Sequence, residues 1–225
     1  VIVLDHHQSE IKLPSAFSII NPNRLDDKSN LQYLCAAGVT FMFLVSLNRE
    51  LRAKNWFVQN NIIEPNLIDY LDLVSLGTVC DVVPLTGLNR AIVKQGLKII
   101  KTKKNLGLKT LLDICKIETN PSIYHLGYSI GPRINAGGRV GKSTHGANLL
   151  INKNPKDVFK LASELDIFNK ERQLLEKATD EQSLKDNTNE NDENLSAEDK
   201  SESSFSHNED SEVSPSFDLS LTHLR

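Results

Sequence analysis

The sequence has few cysteines, a single methionine and a single tryptophan, and no apolar run approaching the ~18 residues that a membrane-spanning helix requires. Cys35, Cys80 and Cys115 are odd in number, far apart and never in a CxxC pair, which excludes a disulfide framework and a zinc ribbon. They read as reduced, partly buried small apolar side chains. The N-terminus has neither the basic start nor the cleavage site of a signal peptide, so a cytoplasmic location is expected and no membrane association. Also missing is a polar lead-in: Val1 lies directly inside the apolar run Val-Ile-Val-Leu, with no initiator Met, which reads as a cut through a domain. With one tryptophan, Trp56, set among charged residues, an indole platform for bases is not expected, and Trp56 reads as the edge of a core.

The chain has 225 residues, of which 39% are apolar, enough for one large globular domain or two small ones. Its net charge of −3 hides an asymmetry. Residues 186–225 hold eleven acids against Lys200 and Arg225, so of the 26 basic and 29 acidic residues in all, 24 and 18 fall in 1–185. The front is modestly basic, a bias toward polyanions or an ordinary charged surface; the tail is strongly acidic and, being nearly devoid of apolar residues, is expected to be disordered.

Hydrophobic periodicity outlines the elements. Val1–Leu4 is a short β-branched run that suits a buried parallel strand, and Phe17–Ile20 reads as a second, stopped by Asn21-Pro22-Asn23. Helical spacing of Leu34, Val39, Phe43 and Leu47 predicts a well-buried helix over about 31–51. Pro65 opens another, with Leu67, Ile68, Leu71 and Val74 on its apolar face and Gly77 marking its end. Helices follow over 91–100 and 108–115, whereas five glycines and a proline within 127–141 predict a structured loop. Asn154 caps a last helix that begins at Pro155 and carries Val158, Leu161, Leu165, Phe168 and Leu175 along one stripe.

Chemistry is concentrated at two places. Asp5-His6-His7 ends the first strand, where open α/β sheets bind ligands, and offers one carboxylate and two imidazoles. Carboxylate with imidazole suits a divalent metal, Mn²⁺ ahead of Mg²⁺, although a capping and a solvated histidine would explain the tripeptide equally well. Adjacent strand residues face opposite ways, so His6 and His7 are expected to do different jobs. Asp81, inside Gly-Thr-Val-Cys-Asp-Val-Val-Pro-Leu, has apolar neighbours on both sides and must be paired, hydrogen-bonded or metal-bound; acceptance of backbone N–H bonds in a turn stays open.

Asp5-His6-His7 resembles the motif that names the DHH phosphoesterases. The segment from Ser75 to Leu85, Ser-Leu-Gly-Thr-Val-Cys-Asp-Val-Val-Pro-Leu, is similar to the acidic block of the RecJ branch of that family, and Gly131-Pro-Arg-Ile-Asn-Ala-Gly-Gly-Arg139 to a third RecJ block. Asn21-Pro22 and Asn89-Arg90 extend the likeness over about 1–178. The resemblance implies an α/β fold: a parallel-sheet DHH domain lacking its N-terminal part (1–153), a long connecting helix (154–185) and the acidic tail (186–225). It further implies His6 and Asp81 as metal ligands, Asp5 and His7 as catalytic groups, and Arg133, Asn135, Gly138 and Arg139 as contacts to a nucleic-acid backbone. A structural salt bridge is the competing role for either arginine. The implied activity is metal-dependent, 5′ to 3′ hydrolysis of single-stranded DNA in repair and recombination. An Asp-rich segment upstream and a second domain, both present in the family, are not found in the sequence, and little activity is expected of this chain alone.

Three other readings compete. Ala136-Gly-Gly-Arg-Val-Gly-Lys-Ser143 nearly spells a phosphate-binding P-loop, but Ala136 stands where that loop needs Gly and no clear strand precedes it. A non-catalytic, nucleic-acid-binding remnant is the second, and a DHH phosphodiesterase for small nucleotides or oligonucleotides the third; the blocks around Asp81 and Arg133 favour RecJ over the latter. His125 and His145 have no metal-ligand spacing, though His145 lies near the expected phosphate loop.

Overall fold

The computed structural model describes residues 1–118 and 120–201, apart from the side chains of Arg139 and 180–201. Val1–Leu174 form one compact unit and Leu175–Arg225 a second. Among the described residues the only strands are β1 (Ile2–Leu4) and β2 (Ser18–Ile20), paired in parallel with Ile2 opposite Ser18 and Leu4 opposite Ile20. The parallel pairing agrees with the expected fold, but the first unit is mostly helical.

Among the described residues eight α-helices follow: α1 (Ala36–Ala53), α2 (Trp56–Gln59), α3 (Leu71–Cys80), α4 (Gly87–Lys101), α5 (Leu106–Ile114), α6 (Gly131–Arg139), α7 (Thr144–Ile151) and α8 (Pro155–Ser201). A 3₁₀ turn, Leu67–Tyr70, leads into α3, and a π-helical segment, His125–Ile130, leads into α6. Caps follow side-chain chemistry. Asn66 Oδ1 accepts from Ile68 N, Asn105 Oδ1 from Leu108 N at 3.0 Å, and Asn154 Oδ1 from Lys156 N at 3.0 Å, each satisfying an orphan first-turn donor. The main core joins α3, α4, α5, the π-helical segment, α7 and the front of α8 through Leu76, Ile100, Leu111, Leu126, Leu149 and Leu165. A smaller cluster of Leu71, Val74 and Ile92 joins α3 to α4.

Several expectations are corrected. The helix opened by Pro65 does not stop at Gly77. It starts as a 3₁₀ turn and then runs through Gly77 to Cys80, because that glycine serves a close helix crossing: a β-carbon there would lie 2.7 Å from Ala37 Cβ on α1. Of the glycine-rich 127–141, expected as a loop, residues 127–139 are instead the π-helical segment and α6, and a turn remains only at 140–141, where Gly141 takes φ +73°. A β-carbon on Gly131 would meet Cys80 Sγ at 2.4 Å, so the glycine is required by packing rather than by a turn. With Ala136 and Gly137 inside a helix that follows a π-helical turn, the strand-loop-helix context of a P-loop is absent there. Helix α1 begins at Ala36, leaving Leu34 ahead of it, and is less buried than expected, with Leu47 exposed. Among the described side chains of α8 the buried ones are Val158, Ala162, Leu165, Asp166 and Asn169, while Leu175 is exposed. The helix continues past the expected end at 185 to Ser201, and the rest of the acidic tail, from 202, lies outside the described residues. None of the described helices is long and apolar enough to cross a membrane.

Packing of α3 on α4 generates a stability test. A β-carbon at Gly96 would fall 2.3 Å from the Leu71 carbonyl oxygen and 2.4 Å from Ser75 Oγ, both on α3. Gly96→Ala is expected to lower unfolding free energy by ~1–3 kcal/mol, despite alanine's better helix propensity, as read from the urea midpoint. An unchanged or raised midpoint would show that the two helices can separate at no cost.

Candidate metal and nucleic-acid site

The DHH tripeptide is held by backbone and asparagine together. Asp5 N donates to Ile20 O at 3.0 Å, continuing the β1–β2 ladder by one residue. Beyond it, Asn21 Nδ2 donates to His7 O (2.9 Å) and Asn23 Nδ2 to His6 O (2.7 Å), while Asn21 Oδ1 accepts from Asn23 N (2.8 Å). The Asn-Pro-Asn that stops the second strand is therefore the mount of the histidines. Sequence reasoning took Asn21-Pro22 only as a weak family match; the cue was an Asn-Pro-Asn directly after a strand, where side-chain amides are free to bond a neighbouring loop.

Asp5 and His7 form one pair, His6 and Asp81 another. Asp5 Oδ1 accepts from His6 N (2.8 Å) and His7 N (3.3 Å) and lies 2.7 Å from His7 Nδ1. The bond from His7 holds the Asp5 carboxyl below the ordinary carboxylate range, and the two backbone N–H groups add to the effect against a slight desolvation. The bond requires the tautomer protonated at Nδ1, which leaves the Nε2 lone pair on a ring that is 77% exposed. Across 75 residues of chain, His6 Nδ1 lies 3.5 Å from Asp81 Oδ2, with side chains 17% and 37% exposed. The two histidine rings are 4.5 Å apart, so the pairs are neighbours.

Asp81 is the C-cap of α3. The chain leaves the helix through Val82 at φ +57°, a left-handed conformation that costs a β-branched residue ~1–3 kcal/mol. This sharp exit from the helix is where the carboxylate meets His6. The preceding Cys80 is partly buried, and desolvation, helped by the Asp81 charge, pushes its thiol up to about 11. Cys80 is thus a packing thiol, not a ligand-ready thiolate.

The third block packs against this end of α3. Cys80, Gly127, Gly131, Pro132, Asn135 and Arg172 enclose a cavity of about 210 Å³. Asn135 is exposed and lines it, and Gly138 is exposed with open space where a β-carbon would point. Arg133, expected on a phosphate, is instead engaged in the protein: Nε donates to Asp166 Oδ1 at 2.8 Å and Nη1 to Ser129 O at 2.6 Å. Asp166 also pairs with Lys170 Nζ at 2.8 Å. Partial burial favours protonating Asp166, but the bonds from Lys170 and Arg133 outweigh it and hold the carboxyl below its ordinary range. This is the structural salt bridge weighed against phosphate binding from the sequence. The side chain of Arg139 lies outside the described residues. The other eye-catching histidines also have local duties: His125 Nδ1 accepts from Ser122 N at 3.1 Å, and His145 Nε2 lies 3.0 Å from Glu164 Oε2. Trp56 sits at a core edge, its ring edge-on to Phe57.

Among the described residues there is no group of three or more His, Cys, Asp or Glu able to hold a metal ion, so His6 and Asp81 supply two donors and no more. No family model matches the chain. Curated relatives do: it is 42% identical over 186 residues to the single-stranded-DNA-specific exonuclease RecJ of Salmonella typhimurium (82% of this chain, 32% of that protein). It is 41% identical over 178 residues to the Escherichia coli enzyme of the same name (78% and 31%). Over this span the chain is RecJ-like. A crystal structure of Thermus thermophilus RecJ in complex with Mn²⁺ superposes with a TM-score of 0.65 at 32% identity, covering 79% of this chain and 25% of that one, and the Mg²⁺ complex with a TM-score of 0.61. The chain thus spans about a third of the length of the curated RecJ relatives named here.

The Arg133–Asp166 pair makes a pH-dependent prediction. Asp166→Asn strands a partly buried guanidinium and is expected to cost ~3 kcal/mol at pH 7. Because the native carboxyl is held low, this contribution is complete above the ordinary carboxylate range and fades as pH falls through the depressed native value, so wild type and variant should converge in acid. Urea melts of both proteins across pH 7 to 3 measure it; a constant gap would rule out the charge of Asp166 as its source.

Proposed function

We propose that this chain carries part of the catalytic site of a metal-dependent single-stranded-DNA exonuclease of the RecJ type, cutting phosphodiester bonds 5′ to 3′ in DNA repair and recombination in the cytoplasm. The observation that carries the reading is the 3.5 Å approach of His6 and Asp81, which are separated by 75 residues of chain. His6 and Asp81 would hold a divalent ion, Mn²⁺ first and Mg²⁺ second, as one imidazole and one carboxylate suit either. Relatives crystallised with both ions support that choice. Such an ion would supply Lewis acidity and charge neutralisation at a phosphodiester. Such ions take about six ligands, so two donors cover only part of the coordination.

The other residues have separate roles. Asp5 fixes the tautomer of His7 and so aims the Nε2 lone pair outward, where it can accept a proton or a hydrogen bond at the scissile phosphate. Asn135 and the open backbone at Gly138, with Arg139 beside them, would face the strand's phosphates, while Arg133 keeps α6 seated on α8. A non-catalytic nucleic-acid-binding role is the second reading, favoured by the count of only two metal donors among the described residues.

Two measurements separate them. Mn²⁺ titration followed by electron paramagnetic resonance should show weak binding that His6→Ala and Asp81→Asn each reduce at least about tenfold. With Mn²⁺ and 5′-labelled single-stranded DNA the chain alone should release little or no nucleotide, since a two-donor site leaves the ion underliganded. Salt-dependent DNA binding indifferent to Mn²⁺ and to both substitutions would establish the second reading instead.

A further inference from the structure

We propose that Tyr124 and Tyr128 form a base-stacking platform for single-stranded nucleic acid, an inference that rests on the phosphodiester-site reading and names how the strand leaving that site is held. The two rings are nearly parallel, 26° apart with centroids separated by 5.0 Å, and are 64% and 73% exposed. Their neighbours on the same segment, Leu126 and Ile130, are fully buried, so the segment already has its core face and the tyrosines are surplus to it. Two large apolar rings stacked in water leave an outer π-face uncovered, which any base can extend irrespective of its identity.

Position ties the platform to the site. Gly127, Gly131 and Asn135 line the cavity beside Cys80, and Pro132 lines it too. Tyr124, Tyr128 and Pro132 recur at intervals of four, so the tyrosines continue along the helix from the cavity's Pro132 rim. Cys80 Sγ donates to the Leu126 carbonyl oxygen at 3.7 Å, and the residue after Cys80 is Asp81. One rigid contact, α3 against the π-helical segment, therefore sets the distance from the His6–Asp81 pair to the aromatic face. The π-helical turn itself is a form that recurs at functional sites. The occupant is a nucleic-acid strand rather than a peptide: 1–185 carry 24 basic against 18 acidic residues, and Arg172 lines the same cavity as Cys80, Pro132 and Asn135.

The test measures binding of the 225-residue chain to fluorescein-labelled oligothymidylate and to an abasic strand of equal length, at fixed salt with Mn²⁺. Tyr124→Leu combined with Tyr128→Leu, which keeps apolar area but removes the rings, should weaken oligothymidylate binding about tenfold or more and leave the abasic strand unaffected. Tyr128→Phe and Tyr128→Trp should retain binding, and an oligomer carrying 5-iodouracil should photocrosslink to Tyr124 or Tyr128. The proposal is overturned if the double variant binds both strands like wild type, if it loses both equally, if crosslinks fall only elsewhere, or if wild type binds no oligothymidylate. Failure of the underlying reading shows separately, as Mn²⁺ binding unchanged in His6→Ala.

Discussion

Helix α3 approaches three neighbours more closely than a β-carbon permits. Gly77 admits Ala37 of α1, Gly96 of α4 admits Ser75, and Gly131 admits Cys80. Packing of a glycine backbone directly onto a neighbouring helix's side chain leaves little freedom to slide, since a shift of one residue would bring a β-carbon into the contact. The consequence falls at the helix's C-terminal end. Asp81 caps a helix locked on three sides, so the carboxylate is held by the core rather than by the loop that follows it. On the other side His6 projects from a strand end fixed by Asn21 and Asn23. A 3.5 Å meeting of two side chains from such separate supports is a geometric demand on the whole first unit, and the left-handed Val82 marks where the chain accepts strain to satisfy it.

That constraint also decides what could be read from sequence. The strands were legible because β-branched runs bounded by polar stops have one good solution, whereas an acid among Val and Cys asks for a partner without naming it, and the link from Asp81 to His6 came only from the resemblance to the DHH and RecJ motifs. The helical nature of 127–139 was not legible. Glycine and proline signal turns only where the chain needs their torsional freedom, and here Gly131 answers to Cys80, a residue fifty positions away that no local pattern reveals. Gly77 misled in the same way, as a helix stop that is in fact a crossing point. The fate of Arg133 was open for a related reason: its competitor for phosphate, Asp166, lies 33 residues on, on a helix whose polar positions look solvent-facing in sequence.

The charges around the site are divided between two tasks. Arg133 and Lys170 share the single carboxylate of Asp166 at the junction of α6 and α8, with Arg133 and Asp166 mostly buried. Cys80 is kept neutral by burial. The groups left facing outward are the exposed ring of His7, the half-exposed carboxylate of Asp81 and the Asn135–Gly138 surface. A guanidinium spent on structure cannot also bind a ligand without breaking its pair, and breaking it would uncover a partly buried carboxylate at a cost of several kcal/mol. Under the proposed function, phosphate recognition by this block would therefore fall to groups other than Arg133, whose bonds to Asp166 and Ser129 tie α6 to α8 and to the preceding π-helical segment.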